Sequence, residues 1–112
     1  MSTNIYDIAN QLERAIRQLP EYKAVELAKE AVEANPEAKQ IFAAYMDFQQ
    51  EIQAVLQSGQ MPSSDLQAKM QEFGRQIEAN PILTEYFTKQ QQLSLYVSDL
   101  EKLIFKPLQD LL

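Results

Sequence analysis

Glu26, Glu30 and Glu33 stand at spacings of four and three. On a helix this sends three carboxylates in one direction, and oxygen ligands so grouped can hold a hard cation such as Mg²⁺. The same residues, interleaved with Lys23 and Lys29, also read as an ordinary solvated helix face of mixed charge, and that reading is adopted. Other chemistry has little to work with. The 112-residue chain contains no His and no Cys, which removes the commonest general base, the thiol nucleophile and the usual ligands of transition metals and clusters. A di-iron bundle needs Glu-x-x-His and cannot be written without His. Two isolated glycines cannot form a phosphate loop. Gln49 lies near the middle of an apolar arc, where it either fixes register by a hydrogen bond or sits at a wet edge. Tyr22, Tyr45, Tyr86 and Tyr96 read as core side chains whose hydroxyls reach the surface. The expectation is a non-enzymatic protein with no catalytic residue, no metal ligand and no cofactor.

The elements that carry these residues read as helices. Asn4 or Thr3 starts the first, and Ile5, Ile8, Leu12, Ala15, Ile16 and Leu19 recur along one face. Pro20 interrupts the run and opens a second helix to about Ala34, expected to bury Tyr22, Val25, Ala28 and Val32. The triplet Ala-Asn-Pro occurs at 34–36 and again at 79–81. Asn accepts from an orphan N–H of the first turn, and Pro at the first helical position lacks only an N–H that would be unpaired anyway. Each triplet is therefore read as a device that ends one helix and begins another.

The third helix is expected over 36–57. Ala38, Ile41, Tyr45, Phe48, Ile52 and Val55 form a heptad seam, widened by Phe42, Met46 and Leu56. S-G-Q-M-P-S-S at 58–64 is a loop, with Ser63 or Ser64 capping a fourth helix that buries Leu66, Met70, Phe73 and Ile77. Gly74 inside that helix is expected to permit a close helix approach. The fifth helix is expected over 81–106 and is ended or kinked by Pro107, after which Leu108, Leu111 and Leu112 fold back as an apolar tail.

These elements make an all-α, single helical domain spanning 1–112. The net charge of −6 is spread along the chain and disfavours direct contact with nucleic-acid phosphates or an anionic membrane. No apolar run approaches the ~20 residues of a membrane span, and no basic-then-apolar leader opens the chain, so a cytoplasmic location is expected. The two long helices carry more apolar surface than a small domain covers by itself. Phe87, Leu95 and Phe105 lie outside the fifth helix's main stripe. The expectation is a homo-oligomer, a dimer or higher, with Phe42, Phe48, Phe87, Leu95 and Phe105 as candidate interface residues.

In order, L-P-E-Y (19–22), A-N-P-E-A-K (34–39), F-Q-Q-E-I-Q (48–53), the S-G loop (58–59) and N-P-I-L-T-E-Y-F (80–87) precede a Leu-rich closing helix. Over nearly its whole length the chain resembles the YlbF/YmcA family of bacterial helical proteins, most of all its Cys-free YheA-like branch from Gram-positive bacteria. The resemblance implies a self-associating cytoplasmic helical protein that docks a regulatory protein partner. Some relatives hold an iron–sulfur cluster through cysteines; this chain has none, so that cofactor does not carry over. Two other readings stand beside this one. One is a carboxylate-based metal-binding protein or enzyme built on Glu26, Glu30 and Glu33. The other is an accessory protein of an RNA-processing complex that touches RNA only indirectly.

Overall fold

Side-chain caps set where four of the five helices begin. In the computed structural model, which describes residues 4–112, the chain runs α1 (Ile5–Arg17), α2 (Pro20–Ala34), α3 (Pro36–Gln57), α4 (Ser64–Glu78) and α5 (Pro81–Gln109). Asn4 Oδ1 accepts the Tyr6 N–H at 2.7 Å; Thr3 lies outside the described residues. Asn35 Oδ1 accepts the Ala38 N–H at 2.9 Å. Ser63 Oγ accepts the Leu66 N–H at 3.2 Å, which settles the choice between the two serines. Asn80 Oδ1 takes both the Ile82 and Leu83 N–H groups, at 3.1 and 3.3 Å. Both Ala-Asn-Pro triplets are thus helix boundaries whose orphan donors are satisfied within the turn. α3 ends at a Ser58 cap followed by Gly59 at φ 83°, a left-handed position that costs glycine little.

Two expectations at the carboxyl end are corrected. Pro107 does not end α5, which continues through it to Gln109. Its missing N–H deprives only the Leu103 carbonyl, in an exposed stretch open to solvent. Meanwhile the Asp110 N–H still reaches the Lys106 carbonyl at 3.1 Å. The apolar tail does not fold back: Leu108, Leu111 and Leu112 are all exposed.

Contacts gather the chain into two units. One is Ala28–Phe87; the other joins Met1–Leu27, described from Asn4 onward, with Thr88–Leu112. Within the first, α3 and α4 approach closely. Phe48, Ile52 and Leu66 form its core cluster, with Val55 and Phe73 packed against it. Ala28 and Val32 of α2, Ala38 of α3, and Leu83 and Tyr86 of α5 are buried as well. Val32 and Leu83 are 0% exposed, and burying one such side chain contributes roughly 1.5–3 kcal/mol. Two expectations fail in α4. Met70 is exposed, although its spacing places it on the same face as Leu66, Phe73 and Ile77. Gly74 brings nothing close, since a Cβ there would meet no atom within 4 Å.

The second unit has a different character. Leu12, Ile16 and Leu19, and separately Leu93, Val97 and Leu100, are half-buried, as are Tyr22 and Val25. Among its described residues no side chain is buried.

Candidate interaction surface

Two surfaces stand out, one in each unit. The first begins with a row of rings in Ala28–Phe87. Phe42 meets Tyr86 edge-on at 5.2 Å and Phe87 at 6.2 Å; Phe87 meets Tyr45 at 5.6 Å. Tyr45 then meets Phe73 at 5.7 Å, and Phe73 meets Phe48 at 5.1 Å. Each pair lies in the range where aromatic quadrupoles attract, adding about 0.5–1.5 kcal/mol beyond area. Their spacing of three along α3 makes this possible, because residues 42, 45 and 48 deliver about one ring per turn. Lys29 Nζ sits 4.6 Å from the Phe42 ring centroid, capping that end of the row with a cation.

Beside the row, α3 and α4 enclose an open groove of ≈ 860 Å³. Its floor is apolar: Ile41, Ala44 and Phe48 from α3, and Phe73 from α4. Its rim is acidic: Glu37, Asp47 and Glu51 along α3, Glu72 on α4, with Lys69 the one basic residue lining it. Glu72 already pairs with Arg75. Among the described residues Glu37, Asp47 and Glu51 take part in no ion pair, and Asp47 and Glu51 are like charges four apart, an arrangement that costs an isolated helix a few tenths of a kcal/mol.

The second surface is apolar and uncovered. On α1, Ile5, Tyr6 and Ile8 are exposed; on the distal part of α5, so are Leu95, Tyr96, Leu103, Ile104 and Phe105. Leu95 is 65% exposed and Phe105 51%. Exposed apolar side chains of this kind are candidates for burial against a partner.

The five residues singled out in the sequence therefore part company. Phe48 is 4% exposed and faces Phe73 in the core. Phe42 and Phe87 are half-buried members of the aromatic row. Leu95 and Phe105 stay at the surface. Of the α2 carboxylates, Glu33 takes an ordinary role: it lies 3.3 Å from Lys29 Nζ and 3.7 Å from Lys39 Nζ. No group of three or more potential metal ligands gathers among the described residues. Arg17 binds the Glu13 carboxylate at 3.0 Å and donates to the Tyr22 hydroxyl at 3.1 Å; its hydrogen bond to Glu13 pushes its pKa above the ordinary value, so it stays cationic. Gln49 is half-buried, at an edge shared with Met46 and Ile52. The groove was missed in the sequence. Glu37, Asp47 and Glu51 border an apolar floor only once α4 is placed beside them.

Among the described residues no helix is long and apolar enough to cross a membrane. Residues 5–109 match the family described as "Control of competence regulator ComK, YlbF/YmcA". A UPF0342 protein of Streptococcus suis (strain 05ZYH33) is 62% identical over 112 residues, covering 100% of both chains. A UPF0342 protein of Streptococcus pneumoniae (strain Hungary19A-6) is 56% identical over 110 residues, covering 98% of each. Among solved structures, a protein of unknown function (DUF964) from Bacillus stearothermophilus superposes with a TM-score of 0.83 at 25% identity, over 96% of this chain and 94% of that one. YheA from Bacillus subtilis gives 0.75 at 24% identity, over 98% and 100%, a likeness of fold. The chain belongs to the YlbF/YmcA family.

Proposed function

We propose that this YlbF/YmcA-family chain, as one helical domain spanning 1–112, is a non-enzymatic interaction protein of the cytoplasm that self-associates and docks a regulatory protein partner. The observation that carries the reading is the uncovered apolar surface of α1 and distal α5, in a unit with no buried side chain among its described residues. Apolar burial is the dominant favourable term in association, and a second copy supplies the missing cover. Leu95 and Phe105 are the interface residues of this proposal; of the other three candidates, Phe42 and Phe87 are half-buried in the aromatic row and Phe48 lies in the core. The family description names control of a competence regulator, which favours a protein as the partner. The net charge of −6 argues against a direct nucleic-acid partner.

Sedimentation tests the self-association. The parent protein is expected to run as a dimer or larger species at micromolar concentration. Leu95→Glu places a charge where an apolar side chain is to be buried, and it should shift the protein toward monomer with its helical circular dichroism unchanged. A monomeric parent ends the proposal of self-association. A variant that assembles normally removes Leu95 from the interface.

A further inference from the structure

We infer that the α3–α4 groove docks a basic amphipathic helix of another protein. This deepens the partner half of the proposed function and rests on that reading. The floor of Ile41, Ala44, Phe48 and Phe73 offers apolar surface to a partner's side chains. The α3 carboxylates Glu37, Asp47 and Glu51 recur along the rim and take no ion pair among the described residues. From Glu37 to Glu51 the α3 wall runs about 21 Å, which matches roughly 14 residues of bound helix. A helix laid there places its apolar stripe on the floor and its flanking Lys or Arg side chains beside Asp47 and Glu51. Those cations relieve the repulsion between two like charges that the free protein leaves side by side. An acidic or neutral helix would meet the same floor without that gain. A second copy of this chain fits less well, because it brings a net charge of −6 to an acidic rim. Fixed rim charges also decide orientation and on-rate, so the groove discriminates between partners by charge pattern.

The test uses the full chain and two synthetic 14-residue helical peptides. Both carry Leu on one stripe; one has Lys on its flanks and the other Glu. Binding is read by calorimetry at low and at moderate salt. The Lys peptide is expected to bind at least about tenfold more tightly than the Glu peptide, and to weaken as salt rises. The double variant Asp47→Lys/Glu51→Lys should lose at least about tenfold for the Lys peptide. Glu26→Lys/Glu30→Lys makes the same change of net charge outside the groove and should stay within about twofold of the parent. Circular dichroism checks that both variants remain helical. Equal losses in the two variants, or no preference for the Lys peptide, overturn the inference. So does a groove variant that keeps the peptide but no longer self-associates in sedimentation, since the occupant is then a second copy. Self-association of the parent is measured separately, so the failure of either reading is visible without the other.

Discussion

Leu83 has no exposed surface, although by spacing it is a flanking member of the α5 stripe rather than its centre. Its place in the first turn, next to the Asn80 cap, puts it under the unit's other elements, and its loss leaves a hole that close-packed neighbours refill only in part. Leu83→Ala is expected to destabilise the protein by about 2–5 kcal/mol, measured by urea unfolding. A loss below 1 kcal/mol would mean that the core around Leu83 collapses without strain. Gly74 lies at the opposite extreme. It is helical, at no positive φ, and an added Cβ meets nothing within 4 Å. Gly74→Ala should therefore stabilise by about 1 kcal/mol through helix propensity alone. An unchanged or lowered midpoint would point to a neighbour that needs the gap.

At the scale of helices, one asparagine holds each of the α2–α3 and α4–α5 junctions. Asn80 accepts two N–H groups where Asn35 accepts one, so the α4–α5 boundary depends more on its cap. Asn80→Ala should lower stability by ~1 kcal/mol and leave assembly intact; a variant of full stability that fails to assemble would give the boundary an interface role instead. These boundaries were legible in the sequence because capping is local chemistry: Asn35-Pro36, Asn80-Pro81 and the Ser-Ser step carry their own signal within four residues. The centre of the α3 seam was legible for the same reason of periodicity, and Phe48 and Ile52 are buried as the heptad requires. What was not legible depended on neighbours. Proline chemistry predicts a stop at Pro107, but the lost bond falls in an exposed final stretch open to solvent. Phe87 looked stranded outside its stripe, yet Phe42 and Tyr45 on α3 receive it. The groove needs two helices side by side, and no single helix contains the information that its acidic edge will border an apolar floor.

For the molecule as a whole, the separation of buried and uncovered residues matters most. Every buried side chain among the described residues lies between Ala28 and Tyr86, while α1 and distal α5 hold apolar faces in water. Association that covers those faces stabilises the folded state by mass action. The melting temperature should then rise with protein concentration in the parent and become flat in Leu95→Glu, read by scanning calorimetry. A flat parent would separate folding stability from assembly. The connections between helices carry a different consequence. α2 and α3 are divided by one residue and α4 and α5 by two, whereas Ser58 to Ser63 forms an irregular stretch with Met61 fully in the open. A protease must draw an unfolded strand into its active site, and exposed tips with small, polar residues yield first. Brief digestion with subtilisin should cut the described chain first between Gln57 and Ser64. Two helical fragments should result, and the close packing of α3 on α4 should keep them together through gel filtration until denaturant is added. The same loop is therefore the place where foreign sequence, such as a reporter or an affinity tag, can be spliced into the chain with least harm.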